Sequence, residues 1–583
     1  MSAPDTLGAL LERAATRPDV GLRLLDRGEA AAFHPWPEVH RRAAAVAGGL
    51  LAIGVRPGDR VALVFPTSIR FVDALFGVVL AGAVPVPLYP PVRLHRLEEY
   101  VARTGRMLRA VAARLVLADS RVRPLLAPAV AAAAPDLGCL TLDDLEPGDA
   151  PPPAAGPGDL ALVQFSSGTT VDPKPVALSH RAVVRQAVAL NGHWPDVDGV
   201  VNSGLSWLPL YHDMGLIGCV IAALERPGTM TLIPPELFLA RPAVWLRAIS
   251  DWRATISVAP NFAYSLCADR ITDDQLDGVD LSGWRVALCG AEPVVPRVLR
   301  RFTERFAPWG LRPEALTPVY GLSEATLAVT FSELRRPFTS RRFDRDRLSR
   351  DRRAEEAADG LELACVGRPV DGAEVRVVDG GRRELPDGVV GDVLVRSPSL
   401  MEGYFGRPEA TREVLADGWL DTGDLGFVHD GELYLTGRRK DVLILRGRCH
   451  SPTEVEGAVD EVDGVRRGCS VAVSWLPDGA DGERLLVLVE ARRGLPKAAF
   501  GELVRDCRAR VRRVTGLEVD RIEVLAPGTL PRTSSGKLRR QEALRRLLAG
   551  ELEPPRRWTR VRAVGAALRG SLQLARMQRS GGG

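Results

Sequence analysis

The sequence lacks paired cysteines, clustered histidines, long unbroken apolar runs and a strong net charge. Its eight cysteines form no CxxC pair and its eight histidines no HxxxH cluster, which disfavours a disulfide framework or a zinc site and favours a cytoplasmic location. The longest apolar stretches, such as residues 72–88, are broken by Asp73, glycines and prolines, so they predict buried core and no transmembrane segment. The chain start does not resemble a signal peptide. A net charge of +4 disfavours nucleic acid as a partner.

Lysine is scarce, because only four of the 77 Lys and Arg residues are lysine. Elsewhere the chain uses arginine, as a GC-rich coding bias produces. Arginine cannot replace lysine where the chemistry needs a compact and mobile point charge. The remaining lysines are therefore candidates for required positions, namely Lys174, Lys440, Lys497 and Lys537.

A chain of 583 residues is too long for one core, and its apolar pattern predicts an α/β fold. Residues 1–150 alternate helix-like and strand-like runs, which is typical of parallel strands covered by helices. From about residue 365, short strands joined by DGG and PDG turns predict a β-rich subdomain, including a hairpin that turns at Asp430-Gly431. A smaller α/β unit follows, to about residue 550.

The last segment, residues 551–583, carries seven arginines against two glutamates, with leucine, valine and alanine between them. This composition is consistent with a frayed basic helix. It is also consistent with a helix that binds a membrane surface or a partner.

A hydroxyl-rich loop, FSSGTTVDPKP, follows the strand-like run over residues 160–165. It does not match GxxxxGK[ST], because proline follows Lys174 and only one glycine precedes it, so a P-loop NTPase is disfavoured. Its hydroxyls and amides could form an anion-binding nest, although they also suit an ordinary turn. The candidate anion-binding residues are Ser166, Ser167, Gly168, Thr169 and Thr170.

Two later stretches carry aromatic and charged residues suited to a nucleotide. In VYGLSEAT, Tyr320 could stack on a base and Glu324 could hold Mg²⁺ beside phosphates, although a capped helix start gives the same pattern. In LDTGDLG, Asp421 and Asp424 flank a tight turn where a carboxylate can accept ribose hydroxyls, and Arg438 follows the next hairpin and could reach a phosphate. An exposed turn with solvated charges is the alternative for the second stretch.

Lys537 lies in LPRTSSGKLRRQEAL, on a Ser/Gly-rich loop just before a predicted helix. A single lysine usually faces solvent. This one is the only lysine among the arginines of its segment, and the loop would present its ammonium on a mobile arm.

In this order, the four stretches resemble the motifs of the adenylate-forming superfamily, which contains acyl-CoA synthetases, luciferases and peptide-synthetase adenylation domains. Three lysines fall on motif positions: Lys174 in the phosphate loop, Lys440 at the interdomain hinge and Lys537 as the catalytic lysine. Lys497 stays unassigned. The resemblance implies a large domain of layered α/β subdomains with a β-rich subdomain over 1–436, a hinge over 437–441, a small mobile α/β domain over 442–550 and a basic tail over 551–583.

Within that superfamily, the stretches VPVPLYPPVRLHRLEEY, SWLPLYHDMGLIG and CGAEPV look most like those of the fatty acyl-AMP ligases. The amino-acid-activating branch needs an acid for the substrate ammonium. Asp213 follows His212, but its apolar neighbours suit an alkyl chain, whose burial yields about 0.8 kcal/mol per methylene. An insertion over about 333–362 is rich in arginine and acids. It is either a disordered surface loop or, as in the fatty acyl-AMP ligases, a segment that packs on the large domain and restrains the small one.

The resemblance implies an enzyme that uses ATP and Mg²⁺ to turn a fatty acid into an acyl-adenylate and pyrophosphate, then passes the acyl group to the phosphopantetheine thiol of an acyl carrier protein. A long-chain fatty acyl-CoA synthetase is the nearest alternative, and a non-catalytic nucleotide- or acyl-binding protein is an alternative of another class. The resemblance also implies a role for each candidate residue. Lys537 would bridge the carboxylate and the α-phosphate, Glu324 would hold Mg²⁺, and His212 would lie at the acyl–thiol junction. The nucleotide would be bound by residues 166–170 with Lys174 at the β/γ-phosphates, by Tyr320, Gly321, Gly290, Ala291 and Glu292 around the adenine, by Asp424 at the ribose, and by Arg438 at the ribose–phosphate region.

Three residues depart from the composition expected of these motifs. Val171 is β-branched and disfavours positive φ, and Pro175 has no N–H for a phosphate. We therefore expect phosphate contacts from the hydroxyls, from the amides before Val171 and from Lys174, and Val171→Gly should leave adenylation largely intact. Cys449 stands where relatives often have a polar amide, which should weaken a contact at the domain junction.

Overall fold

The computed structural model describes residues 4–91, 97–148, 155–166, 173–194, 196–197, 199–445, 448–477, 483–533, 536–554 and 570. Its largest layer is a nine-stranded sheet whose central strands are parallel, with antiparallel pairing toward both edges. In spatial order these strands are Arg368–Pro369, Ala328–Phe331, Leu316–Gly321, Val286–Cys289, Ile256–Ala259, Gly204–Ser206, Met230–Leu232, Gly21–Leu25 and Ala31–Pro35.

A second sheet has four strands and is parallel throughout, which confirms the prediction of parallel strands in residues 1–150. Its strands, in spatial order, are Val84–Pro87, Arg60–Val64, Leu115–Ala118 and Cys139–Leu140. All residues of the strand Leu115–Ala118 are buried, as expected for a parallel sheet covered on both faces.

A three-stranded antiparallel sheet holds the hydroxyl-rich loop, in the order Gly403–Tyr404, Pro175–Ser179 and Leu160–Phe165. The strand Leu160–Phe165 was predicted, but Pro175–Ser179 was not. Ser179 then caps the next helix, His180–His193, because its Oγ accepts from Ala182 N at 3.3 Å.

Helices accompany these sheets and supply much of the buried apolar core. Among the described residues, no helix is long and apolar enough to cross a membrane. The α-helices before the β-rich region are Leu7–Ala14, Trp36–Ala52, Ile69–Leu80, Leu97–Ala110, Arg123–Ala133, His180–His193, Asp213–Gly215, Ala222–Glu225, Pro235–Ala240, Ala243–Asp251, Asn261–Arg270 and Pro296–Phe306.

The β-rich region is an antiparallel sheet, as predicted. Its hairpin turns at Asp430 (φ 54°) and Gly431 (φ 74°), two consecutive left-handed residues of the kind that two-residue hairpin turns require. The strands are Glu374–Val378, Gly391–Arg396, Trp419–His429, Leu415–Ala416 and Glu432–Arg438, and one helix, Pro408–Val414, accompanies them.

The arginine-rich insertion is folded, so its interpretation as a disordered loop is wrong. Strands Ser340–Phe343 and Leu361–Ala364 pair antiparallel at its two ends. The Phe343 side chain is fully buried, with ring centroids 4.9 Å from Phe427 and 5.5 Å from Tyr434. Burial of an aromatic ring outweighs the polar composition of the segment, which is why composition alone is a poor guide here.

Replacing Phe343 with alanine should destabilise this region by about 3–5 kcal/mol, because the fully buried ring leaves a cavity. Limited trypsin digestion should then cut the arginine-rich insertion much faster than in the wild type. Arg336→Ala is the matched control, because the Arg336 side chain is exposed and its loss should cost less than about 0.5 kcal/mol. Equal cleavage rates in all three proteins would contradict the anchoring role of Phe343.

The carboxyl-terminal part has its own sheets and core. Its described helix Phe500–Thr515 buries Leu503, Cys507 and Val511, which are spaced to lie on one face. Of the basic tail, residues 551–554 and 570 are described, and the expectations for the rest lie outside the described residues. The elements of this part are strands Leu443–Leu445, Arg448–His450, Val465–Trp475, Arg484–Ala491 and Arg521–Leu525, and helices Pro452–Val459, Phe500–Thr515 and Arg540–Leu548.

Candidate active site

Three residues predicted from two separate stretches form one polar chain, in which Tyr320 and Asp424 are buried and Arg438 is exposed. Tyr320 OH donates to Asp424 Oδ2 at 2.6 Å, and Arg438 Nε donates to Asp424 Oδ1 at 3.1 Å. Burial, followed by the Asp424 charge, raises the pKa of Tyr320 well above its ordinary value, so the phenol is a neutral donor at physiological pH. The Asp424 carboxylate also raises the pKa of Arg438. The pair therefore presents a carboxylate and a guanidinium in fixed positions.

Glu324 is fixed by Tyr404, a residue that the sequence analysis missed. Tyr404 OH donates to Glu324 Oε1 at 2.9 Å, and Lys174 Nζ lies 4.5 Å from the centroid of the Tyr404 ring. Burial and then Glu324 raise the pKa of Tyr404, which keeps the hydroxyl protonated. Tyr404 thus joins the predicted metal ligand to the predicted phosphate-binding lysine.

The base of the hydroxyl-rich loop is closed by main-chain bonds. Ser166 N donates to Lys174 O at 2.9 Å, and Phe405 N donates to Pro175 O at 2.7 Å. Pro175 starts a strand, a position where its missing N–H is tolerated. The predicted contacts of Ser167, Gly168, Thr169 and Thr170, and the backbone prediction for Val171, lie outside the described residues.

Two glycines allow neighbouring backbones to approach closely beside this site. A Cβ on Gly290 would lie 2.8 Å from Val319 O, and one on Gly321 would lie 1.8 Å from Leu327 O. Ala291 next to Gly290 has φ 68°, a left-handed conformation that alanine rarely adopts. Strained backbone of this kind is concentrated at functional sites, where the surrounding structure maintains it.

Glu292 closes one side of the site and adjoins an aromatic wall. Glu292 Oε1 accepts from Phe262 N at 2.6 Å, and burial raises the pKa of Glu292. The Phe262 ring lies 5.9 Å from Trp207, which stacks on Phe238 at 4.0 Å between ring centroids. These three aromatic side chains form an apolar wall.

His212 is paired with a buried carboxylate. His212 Nδ1 lies 2.5 Å from Asp213 Oδ1, and Ser323 Oγ donates to Asp213 Oδ2. Burial acts to raise the pKa of Asp213, but His212, the hydrogen bond from Ser323 and the charge of Lys537 hold it well below its usual range. From the sequence, Asp213 is only an acid of uncertain role next to His212, and no local signal points to Ser323.

Lys537 is half-buried, and charges from the large part of the chain act on it. Burial lowers the pKa of Lys537 and Arg438 lowers it further, whereas Asp213, Glu292 and Asp424 raise it. Its loop is closed at the base by one side-chain and one main-chain hydrogen bond, because Lys537 N donates to Thr533 Oγ1 at 3.0 Å and Thr533 N donates to Lys537 O at 2.8 Å. Of the predicted site residues, Glu292, Asp424 and Arg438 thus act electrostatically on the predicted catalytic lysine.

Lys440 lies exposed in a turn between strands Glu432–Arg438 and Leu443–Leu445. The next residue, Asp441, is buried and accepts from Arg540 Nη1 at 3.3 Å. Arg540 also binds both carboxylate oxygens of Glu456 at 2.7 Å. Sequence reasoning missed Arg540, which ties the turn to the helix that follows the lysine loop.

Within the described ranges, no group of three or more His, Cys, Asp or Glu side chains is placed to hold a metal ion. The candidate metal ligand is the single carboxylate of Glu324. This is consistent with Mg²⁺, which proteins often hold through one or two carboxylates together with substrate phosphates.

A carboxylate joined through Tyr404 to Lys174, a second carboxylate paired with an arginine, a lysine on a later loop and an apolar wall are groups that an ATP-dependent acid-activating ligase requires. Residues 25–405 match the family described as AMP-binding enzyme, and the chain belongs to this family.

The chain is similar over most of its length to known proteins of this kind. It is 37% identical over 558 residues to a Caulobacter vibrioides (strain NA1000 / CB15N) protein provisionally named an acyl-CoA synthetase, covering 94% of this chain and 96% of that protein. It is 34% identical to the long-chain-fatty-acid–AMP ligase FadD26 of Mycobacterium marinum (strain ATCC BAA-535 / M), covering 88% and 91%. A solved structure from a study of fatty acyl-adenylate ligases from E. coli and L. pneumophila matches with a TM-score of 0.87 at 32% identity, covering 94% and 98%.

Proposed function

We propose that the chain is a fatty acyl-AMP ligase, which activates a fatty acid with ATP and transfers the acyl group to the phosphopantetheine thiol of an acyl carrier protein. The charged surroundings of Lys537 are the observation that supports this proposal. Its ammonium is under the influence of Asp213, Glu292 and Asp424, and Glu292 adjoins the aromatic wall through Phe262. A cation at the end of an apolar surface is where the carboxylate of an alkyl acid would lie.

In the first half-reaction, the fatty carboxylate attacks the α-phosphorus of ATP and pyrophosphate leaves. Enzymes accelerate such a transfer mainly by positioning the reactants and by stabilising the charge that develops in the transition state. Lys537 would bridge the carboxylate and the α-phosphate, and Arg438 would neutralise charge near the ribose and phosphate. The Asp424 carboxylate, held by Tyr320 and Arg438, would accept ribose hydroxyls.

The phosphate end of ATP would lie between the hydroxyl-rich loop and Lys174, with Tyr320, Gly321 and residues 290–292 around the adenine. The Glu324 carboxylate, held by Tyr404, would bind Mg²⁺ together with the phosphates. When bound, the metal would supply charge stabilisation to the pyrophosphate leaving group.

The second half-reaction requires Lys537 to leave, so we propose domains at 1–436 and 442–550 that rotate about a hinge at 437–441. Lys440 is exposed in the turn at this point, and the rotation would have to break the hydrogen bond from Gln541 Nε2 to Lys440 O. Seven of the eight cysteines are buried and Cys449 is half-buried, so the thiol is expected to come from a partner. We place the enzyme in the cytoplasm, and the basic tail would contact a membrane surface or partner.

An acyl-CoA synthetase is the rival function, and the insertion favours the carrier-dependent enzyme. Arg345 in the insertion donates to Glu454 Oε1 at 2.5 Å, and Arg448 lies 3.5 Å from Asp346. These ion pairs join the insertion to the carboxyl-terminal part and would restrain its rotation, as the insertion is expected to do in the fatty acyl-AMP ligases. The rotation that withdraws Lys537 would have to break them.

The test is incubation with ATP, Mg²⁺ and a fatty-acid panel, followed by mass spectrometry of acyl-AMP. We expect acyl-AMP and fatty-acid-dependent pyrophosphate release. ATP binding without this release would instead support a non-catalytic binding protein. The acceptor is then tested by offering coenzyme A or a phosphopantetheinylated carrier protein to the same adenylate, and faster transfer to coenzyme A would identify an acyl-CoA synthetase.

A further inference from the structure

The imidazole of His212 is held in one orientation by its neighbours. Its Nδ1 lies 2.5 Å from Asp213 Oδ1, and Ser323 Oγ donates to the second oxygen of the same carboxylate. Met214 N lies 2.7 Å from Asp213 Oδ1 and 3.4 Å from His212 Nδ1, so the carboxylate takes the amide hydrogen bond. Nδ1 therefore carries its own hydrogen and donates it to Asp213, which leaves Nε2 of the neutral ring as an acceptor.

That acceptor is buried and has no hydrogen-bond partner within the described part of the chain. Buried polar atoms are normally satisfied, and exceptions at functional sites often await a ligand. His193 also has a buried, unpaired Nε2, but its ring lies against Phe331 at 4.6 Å in an aromatic cluster. His212 differs in having a carboxylate on its other nitrogen, next to the site that receives Lys537.

We propose that His212 is the general base of the second half-reaction, and that Asp213 and Ser323 are positioning residues that hold its ring with Nε2 unprotonated. The proposal rests on the proposed function, because it needs an acyl-adenylate and a thiol. A carboxylate that orients an imidazole and stabilises the imidazolium after proton transfer is a recurrent catalytic arrangement. Ser323 would keep the carboxylate turned toward the ring.

The step balances as a proton transfer coupled to acyl transfer. The thiol S–H proton moves to His212 Nε2, and the sulfur forms a bond to the acyl carbonyl carbon. The bond from that carbon to the phosphate oxygen breaks, and AMP leaves with the bonding electrons. An aliphatic thiol has a pKa of about 8.5, so only a few per cent of it is ionised at pH 7. A general base that removes the thiol proton should therefore accelerate the reaction at this pH.

The order of the two half-reactions fits this role. His212 and Lys537 are the charged or titratable groups that act on Asp213 to favour its ionised form. When the lysine loop withdraws, Asp213 loses the Lys537 charge, and a protonated His212 becomes its main cationic partner. Asp213 would then stabilise the imidazolium that forms when His212 takes the thiol proton.

The experiment supplies synthetic dodecanoyl-adenylate, so that the second step is measured without the first. Two acceptors are compared in single turnovers: N-acetylcysteamine, a thiol, and hydroxylamine, which attacks as a free amine. For His212→Ala we expect thioester formation at pH 7 to fall on the order of 10²-fold, with a much smaller loss of hydroxamate formation. Raising the pH toward 8.5 should restore the thioester rate about tenfold per unit, because the thiol ionises in solution.

Asp213→Asn should also lower the thioester rate with little change in the concentration dependence for the thiol, because an amide can donate to Nδ1 and select the wrong tautomer. Ser323→Ala should lower it by a few fold. His193→Ala is the control for loss of a buried imidazole, and its thioester-to-hydroxamate ratio should equal that of the wild type.

Equal losses with both acceptors in His212→Ala, or a thioester rate that higher pH does not restore, would overturn the general-base role. Failure of the proposed function is seen separately. A wild-type enzyme that makes no hydroxamate from fatty acid and ATP, yet converts the synthetic adenylate with the expected selectivity, would refute the adenylation proposal and support His212 as the base.

Discussion

Lys537→Ala should lower the rate of acyl-adenylate formation on the order of 10³-fold while ATP affinity changes little. A single preorganised donor at a developing charge is worth about 10²–10³ in rate, and Lys537 adds a full positive charge in a site that is partly closed to water. Burial lowers the pKa of Lys537, but Asp213, Glu292 and Asp424 counteract this effect. The large effect is expected because the ammonium is proposed to bridge both reacting partners.

The measurement is fatty-acid-dependent pyrophosphate release, together with calorimetric titration of ATP. Lys537→Arg should also be strongly impaired, since a planar guanidinium does not replace a compact ammonium. Lys497→Ala is the matched control, because Lys497 is exposed in the turn Lys497–Ala499 and should leave the rate unchanged. Unchanged pyrophosphate release in Lys537→Ala would refute the catalytic assignment.

The elements that could be predicted from the sequence are those specified by local residues. The run Leu160–Phe165 is a strand at the predicted bounds. The hairpin turn at Asp430-Gly431 also follows from local turn chemistry. Pro175–Ser179 was missed because it is short and begins with proline, and its pairing with Leu160–Phe165 across the loop is what makes it a strand.

The sequence predicted the charged residues of the candidate site, but not the residues that orient them. Tyr404 reaches Glu324 across 80 residues, and Ser323 reaches Asp213 across 110 residues. Arg540 reaches Asp441 across 99 residues. Such pairs form only when the sheets pack together, so the spacing of residues along the chain does not predict them. A tyrosine in a two-residue strand carries no signal of its own until its partner strand is known.

Glu324→Gln should lower adenylation on the order of 10³-fold, because a metal held at the leaving group is worth several kcal/mol and each 1.36 kcal/mol is tenfold in rate. The change is isosteric, and the amide oxygen can still accept the hydrogen bond from Tyr404, so the fold should be retained. The negative charge that would bind Mg²⁺ is lost. We therefore also expect the variant to need a much higher Mg²⁺ concentration for its residual rate.

The matched variant is Tyr404→Phe, which removes the hydrogen bond to Glu324 and keeps the carboxylate. Its rate should fall by about tenfold or less, since the net contribution of one hydrogen bond to a charged group is about 1.5–3 kcal/mol at most and only part of it acts on the reaction. Pyrophosphate release is followed across a Mg²⁺ series for wild type and both variants. If the Glu324→Gln enzyme kept the wild-type Mg²⁺ dependence, Glu324 would not be the metal ligand. A carboxylate that binds the ion cannot lose its charge without weakening that binding.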